Sequence, residues 1–324
     1  MRRVIYIATG LISIVTFRGW CQFENIILPT DLKQQTIITE PPTLKKGYMR
    51  AGINFDFIFT DRIFDKEGNK EYLMGTNIYS KSLTFMPGLQ YGLTNRIEFW
   101  VRLPYYFKES NVSGRIICPF VDFDSLTSIC NKGRGIGDLE TGMRYQVINE
   151  GELFPSLRLG LFGILPTGPK NPKNIKNDEE YDLPTGFGHF TLSADLFLKK
   201  VIYPFSITLF AYYDYNFKGT KVINPYEDAI EFKRGNLFGT VTGIGSHLND
   251  WIVLINSFHY YTMTESTYYY PEPIKYARRW VIEYNPSVYF QIRRFRLSEF
   301  VKIPVKGKNA GADPSYSISI QYTF

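Results

Sequence analysis

Residues 315–324 alternate without a break: Tyr316, Ile318, Ile320, Tyr322 and Phe324 fall on one side of an extended chain, and Ser315, Ser317, Ser319, Gln321 and Thr323 fall on the other. Side chains of a strand point to opposite faces with a period of two, so one face here is apolar with aromatic ends and the other is small and polar. Two environments suit such a strand. One is a wall with lipid outside and a wet interior behind it; the other is the edge of a soluble sandwich buried on one side. The rest of the chain has to choose between them.

The same alternation recurs along the chain. Ala51, Ile53, Phe55, Phe57 and Phe59 oppose Gly52, Asn54 and Asp56, and a second strand is expected from about Asn77 to Tyr91. Ile97, Phe99, Val101, Leu103, Tyr105 and Phe107 oppose Glu98, Trp100, Arg102 and Tyr106. Leu139 to Val147 alternates with Asp138, Glu140, Gly142, Arg144 and Gln146, and Leu157, Leu159 and Leu161 oppose Ser156, Arg158 and Gly160. Further strands are expected near 190–199, 205–215, 235–247, 250–262, 280–291 and 295–304; those near 235–262 are the least regular, because apolar residues occupy both of their faces. Short turns near 93, 151, 201, 249 and 294 alternate with long loops near 68, 121, 175, 226, 270 and 309. An even number of antiparallel strands, about twelve, with short turns at one end and long loops at the other is the topology of a transmembrane up-and-down barrel, with both termini on the periplasmic side.

Composition favours that reading. Aromatic residues make up 17% of 324 residues, with 24 Tyr and 26 Phe, while the mean hydropathy is only -0.17. After the first twenty residues no apolar run reaches the roughly 18 residues of a spanning helix, so any crossing of a membrane uses strands closed into a barrel. Aromatics gather where strands end: Tyr105, Tyr106, Phe107, Tyr213, Tyr215, Phe217, Tyr260, Tyr261 and Trp280 toward the loops, and Tyr91, Trp251, Phe290, Tyr322 and Phe324 toward the turns. Two such belts have a purpose at membrane interfaces and none in a soluble sandwich.

Residues 1–21 read as an export signal, with Arg2 and Arg3 before an apolar stretch and Gly19-Trp20-Cys21 as the cleavage region. Residues 22–47, with Pro29, Pro41 and Pro42, are expected to form a periplasmic lead-in, and 48–324 the barrel. The net charge of +6 is spread over the chain without a long basic tract, which argues against a nucleic-acid partner. Cys118 and Cys130 are the only cysteines after the signal, and in an oxidising compartment a disulfide between them would close a short loop.

Charge on a lipid-facing strand is costly, about 2 to 4 kcal/mol for Arg near the midplane. The charged residues of the strands are therefore expected to line the lumen: Asp56, Glu98, Arg102, Asp138, Glu140, Arg144, Arg158, Asp195, Asp214 and Glu283. Both signs occur, which suits small neutral or zwitterionic solutes better than a single-ion filter. Inward aromatics such as Trp100, Tyr106 and Tyr212 offer contact to an apolar solute or simply fill space. His189, His247 and His259 stand singly near strand ends and form no catalytic cluster with Ser, and Asp138 with Glu140 is explained by pairing with Arg144 across strands. No catalytic residue, cofactor site or metal site is expected; the Gly133, Gly135 and Gly137 run lacks the strand-to-helix context of a dinucleotide loop and reads as a loop entering the fourth strand.

Residues 132–146, with Leu165-Pro166-Thr167-Gly168 and Gly186-Phe187-Gly188-His189-Phe190, resemble the transporter-like outer-membrane barrels of the meta-pathway phenol degradation family. The resemblance covers roughly residues 77–324 and rests on short glycine-based motifs. It implies a channel in the bacterial outer membrane passing aromatic or hydrophobic compounds, and it brings no catalytic residues. The aromatic last strand with terminal Phe324 also resembles bacterial outer-membrane barrels, which implies outer-membrane lipid and the barrel-assembly machinery as partners. The expectation is thus a diffusion channel for a small solute that the sequence does not identify. The alternatives are a closed barrel serving adhesion or scaffolding, and a lipid-modifying barrel enzyme.

Overall fold

The computed structural model describes residues 43–324 except 73–78, 119–122, 172, 177–179, 223–228, 270 and 271, and the side chains of 112–129 and 172–181 are likewise left aside. The signal at 1–21 and the lead-in up to residue 42 lie outside the described residues.

Twelve antiparallel strands close on themselves. They are β1 (Met49–Thr60), β2 (Tyr79–Gly92), β3 (Ile97–Arg102), β4 (Leu139–Ile148), β5 (Ser156–Leu165), β6 (Thr191–Ile202), β7 (Phe205–Asn216), β8 (Leu237–His247), β9 (Ile252–Met263), β10 (Arg279–Ile292), β11 (Phe295–Lys308) and β12 (Ser315–Thr323). Each pairs with its sequence neighbours, and β1 pairs with both β2 and β12, Ile53 facing Pro87 on one side and Ile320 on the other. Closure leaves the wall without an open edge, so the backbone groups of the wall are satisfied within it.

The alternation read from the sequence is the inside and outside of this wall. On β12 the outward Tyr316, Ile318, Ile320 and Tyr322 are exposed, while Ser315, Ser317 and Ser319 are buried. The polarity is that of a soluble protein turned inside out: Phe57, Leu83, Phe99, Leu161, Ile207, Ile244, Phe258 and Val305 form an exposed apolar surface around a buried polar interior. Outward aromatics ring both ends, with Tyr91, Phe205, Trp251, Phe295 and Phe324 toward the turns and Phe107, Tyr213, Tyr215, Phe217 and Tyr316 toward the loops. Tyr106 and Tyr261, expected in the outer belt, are buried inside instead, because each lies one residue out of phase with its outward neighbours. Among the described residues no helix is long and apolar enough to cross a membrane.

The long connections carry structure of their own. In place of the loop expected before the fourth strand, strands Tyr105–Cys118 and Phe123–Ile136 continue β3 and β4 as a tall hairpin beyond the barrel. The glycine run is part of that hairpin, Gly133 and Gly135 pairing with Lys108 and Tyr106. Its register also corrects the expected disulfide. Cys130 faces Asn111 and Cys118 faces Phe123, so the two cysteines stand seven ladder positions apart (118 minus 111), about 23 Å at the rise of a strand. A disulfide needs Cα atoms within about 7 Å, which this pairing does not allow. Two smaller sheets also stand at the loop end: Arg62–Phe64 with Lys70–Tyr72 and Ala310–Gly311, and a four-stranded sheet of Lys218–Lys221, Ile230–Lys233, Ser266–Tyr269 and Pro273–Tyr276.

At the turn end, the described part of the lead-in tucks into the barrel mouth. Leu44 is buried, its amide donates to Glu98 Oε2 at 2.9 Å, and Gly47 donates to the Gly92 carbonyl. Gly92 accommodates this segment because a Cβ there would sit 2.1 Å from the Lys45 carbonyl oxygen. Phe324 closes the same end by donating its amide to the Met49 carbonyl.

The depth dependence of the lipid face gives a test. Leu209, outward near the middle of β7, should cost about 2 to 4 kcal/mol when changed to Arg, whereas Phe205→Arg at the turn-end rim should cost about 1 kcal/mol or less, read from denaturant unfolding in lipid vesicles. Equal costs at the two depths would contradict a membrane-spanning wall.

Candidate functional site in the barrel lumen

All ten charged residues singled out from the sequence are buried on the inner side: Asp56, Glu98, Arg102, Asp138, Glu140, Arg144, Arg158, Asp195, Asp214 and Glu283. Strand register sorts them into rows. Glu98 pairs with Arg144 between β3 and β4, and their side chains form an ion pair at 3.0 Å with both groups 2% exposed. The next row toward the loops pairs Trp100 with Gly142 and Gly142 with Phe162. A Cβ on Gly142 would lie 2.2 Å from the Phe162 Cβ. Glycine therefore lets the two rings meet, and their centroids are 5.5 Å apart. The Arg102 and Arg144 guanidinium carbons stand 4.4 and 5.4 Å from the centre of the Trp100 ring, cation–π contacts that gain strength where water is excluded. On the turn side of this cluster Arg158 lies over Phe197, 4.8 Å from its centre. Asp56 accepts a hydrogen bond from Ser317, and Glu283 accepts one from the Tyr261 hydroxyl at 3.1 Å.

Opposite the charged wall stands an apolar one. Phe197, Phe210, Tyr212, Leu237, Val241, Ile255, Tyr261, Met263, Val281 and Tyr289 form one buried cluster on β6 to β10. Most of these inward residues escape a reading of the sequence, because an apolar side chain is acceptable on either face of a membrane strand. The available signal was the apolar character of both faces in the region 235–262, which blurs the alternation and here marks an apolar inner wall. The lumen is thus mixed in chemistry: cations and carboxylates concentrate on β1 to β5, while on β6 to β10 rings and aliphatic groups form one cluster beside which Asp195, Asp214, His259, Arg279 and Glu283 are also buried.

Among the described residues two small cavities open within it. One is bounded by Arg50, Asn54, Gln90, Arg102 and Gln321. The other, under the loops, has Tyr106, Ile164, Phe187, Leu237 and Met263 beside Glu140, Asp214 and Arg234. The outer one combines apolar surface with a few charged groups, which is the composition of a site for an amphiphilic small molecule.

The loop covering that cavity is held by the three glycine-containing motifs of the sequence, which converge on one carboxylate. Asp138 Oδ1 accepts the Gly168 amide at 2.9 Å and Oδ2 accepts the Phe187 amide at 2.7 Å. Thr167 Oγ1 accepts the Leu139 amide, and Thr185 Oγ1 donates to the Ile136 carbonyl. Gly168 and Gly186 approach so closely that a Cβ on Gly186 would be 2.4 Å from the Gly168 carbonyl oxygen. Asp138 is therefore a structural anchor of the 166–190 loop rather than a member of a catalytic pair with Glu140. His189 completes the anchor, with Nε2 3.1 Å from Asn216 Oδ1 and Nδ1 3.3 Å from the Phe187 carbonyl. Burial and then the nearby Arg234 charge push its pKa down to about 4, so the imidazole is neutral at pH 7. His259 is buried in the lumen, opposite Glu283 across the ladder, and His247 is half-buried at the turn end.

No family model matches the chain, and no curated protein matches it in sequence. Among solved structures it is similar to the COG4313 outer-membrane channel of Pseudomonas putida F1, with a TM-score of 0.66 and 13% identity over 88% of this chain and 100% of that one. Looser similarity extends to the toluene transporter TbuX of Ralstonia pickettii, with a TM-score of 0.44 and 10% identity over 89% of this chain and 93% of that one. The translocator domain of the autotransporter NalP from Neisseria meningitidis gives a TM-score of 0.45 and 9% identity over 99% of both chains. The first of these likenesses, at 13% identity, shows the fold alone, a closed antiparallel β-barrel, which in this chain has twelve strands.

Asp138→Ala leaves two buried amides without an acceptor and should cost about 1 to 3 kcal/mol of loop docking. Hydrogen exchange at Gly168 and Phe187 should rise while the barrel strands stay protected. Because the folded pKa of His189 lies below its ordinary 6.5, its contribution to docking is full above that value and is lost as pH falls toward about 4. Exchange in 185–190 should therefore increase between those values, and His189→Asn should flatten the pH dependence.

Proposed function

We propose that this protein is an outer-membrane channel that passes small solutes through the barrel by diffusion, with amphiphilic or aromatic compounds as its substrate class. The observation that carries this reading is the mixed lumen: charged side chains from Asp56 to Arg158 stand across from an apolar cluster built on Phe197, Phe210, Val241 and Ile255, with Asp195, Asp214 and Glu283 set beside it. A barrel that served only as a scaffold has no need of an apolar wall facing a polar one, since salt-bridged filling alone holds such an interior together. A solute with a ring and a polar group can exchange water for contacts on both walls at once, while strong binding by either wall alone would slow its release. Support also comes from the similarly folded Pseudomonas putida protein, which is described as an outer-membrane channel.

In this reading the turn end of the wall faces the periplasm, the loops face outward, and residues 1–21 direct export. The aromatic β12 is the segment offered to the assembly machinery. Trp100, clasped by Arg102 and Arg144 and packed on Phe162, is the bulky ring that narrows the passage at its row. Glu98 and the Leu44 amide hold the turn-end mouth.

Planar-bilayer recording of the refolded protein tests the proposal. Discrete conductance steps are expected, and Trp100→Ala should enlarge them by removing the largest fully buried side chain among the described residues. A correctly folded protein that never conducts, with Trp100→Ala equally silent, and that shows no solute flux in liposome swelling would remove the channel reading in favour of a closed scaffold.

A further inference from the structure

At the loop end of β10 and β11 three cations gather on the outer surface of the barrel: Arg278, Lys306 and Lys308, all exposed. Their placement depends on an irregularity in the ladder. Glu283 pairs with Pro304 but Ile282 pairs with Lys306, so Val305 is an extra residue, a bulge. Without it the alternation set by Ile303 outward and Pro304 inward would turn Lys306 and Lys308 into the lumen. The bulge reverses the phase. Gly307 then faces inward, where a Cβ would lie 2.6 Å from the Phe64 ring, and both lysines face out.

The outward face around them is a membrane interface. Lys308 pairs with Trp280, which pairs with Thr262 on the other side, and Lys306 pairs with Ile282. Trp280 and Tyr260 rings lie 6.5 Å apart just below, beside the exposed Ile303 and Val305. Arg278 is fixed over this row by a hydrogen bond from its Nε to Thr262 Oγ1 at 3.0 Å. Several other loop-end cations meet carboxylates: Lys81 and Lys132 share Glu109, Lys218 meets Glu231, and Arg62 is held by Asp313. Among the described residues none of Arg278, Lys306 and Lys308 has a carboxylate within ion-pair distance. Three uncompensated cations directly above an apolar, aromatic-edged wall complement an amphiphile whose phosphates sit where its acyl chains begin.

We infer that Arg278, Lys306 and Lys308 form a binding site for the phosphate groups of a bis-phosphorylated acyl glycolipid of the outer leaflet, with Trp280, Ile303 and Val305 receiving the start of its acyl chains. This rests on the reading that the loops face outward from an outer membrane. The lipid would be held by charge-assisted hydrogen bonds from the guanidinium and the two ammonium groups. Its affinity falls with rising salt, as for any exposed charge contact.

Native mass spectrometry of the detergent-folded protein with added bis-phosphoryl lipid A tests the site. The wild type should retain the lipid, and the triple variant R278Q/K306Q/K308Q should lose about tenfold or more in affinity. Lipid A stripped of both phosphates should bind neither, and K81Q/K132Q should bind as the wild type does. Unchanged binding by the triple variant overturns the proposal, as does phosphatidylglycerol binding to the wild type as tightly as lipid A. Heat-modifiable migration and bilayer conductance of the same preparations report separately on folding and on the channel reading, so a failure of lipid binding in a conducting protein counts against this site alone.

Discussion

The closing of β1 against both β2 and β12 is the condition on which the remaining structure depends. In hydrocarbon, an unpaired backbone amide or carbonyl has no water to turn to, so an open sheet edge carries a cost at every residue. Once the ring is closed, each strand has one face toward lipid and one toward the interior, and the period of two in the side chains becomes a partition between solvents. The exposed apolar face and the buried polar face follow from that single constraint rather than from any local preference for β structure.

The interior so created has to be filled or wetted, and the register decides which groups meet there. Large and small residues are matched across strands: Trp100 and Phe162 flank Gly142, and the Tyr212 ring covers Gly239, where a Cβ would lie 2.2 Å from the ring. Charges are matched in the same way, Glu98 with Arg144 in one row. Burying an ion pair is costly unless both partners are well placed, and here the cost is moderated by the Leu44 amide on Glu98 and the Trp100 ring beside Arg144. Charged and apolar residues thus share one lumen, with the Glu98–Arg144 pair joined along the direction of its own ladder.

At the loop end the same economy of contacts fixes otherwise irregular chain. Asp138 stands at the break between the tall hairpin and β4, where its carboxylate is free to accept amides from two segments some 30 and 50 residues away. Glycines at 168 and 186 are required by the closeness of those segments rather than by backbone angle. A bulge at Val305 uses one extra residue to decide which side of the wall two lysines occupy. These are small local features, and each determines what the outer end of the barrel presents to a solute or to lipid.

The sequence by itself determined the strands, the even count, the alternation of short turns and long loops, and the inward placement of charge, because charge tolerates only one side of a wall in lipid. It also marked the motifs around Asp138, Gly168 and Gly186, though not that they meet. Tertiary structure alone decided what depends on pairing between distant segments. An apolar residue such as Phe210 or Val241 is allowed on either face, so only register shows that it forms an inner wall. Cys118 and Cys130 are near in sequence and seven ladder positions apart in the hairpin. The outward turn of Lys306 and Lys308 follows from a one-residue shift that period-two reading assigns to the wrong side, since a bulge changes the phase of a strand without leaving a distinctive residue behind.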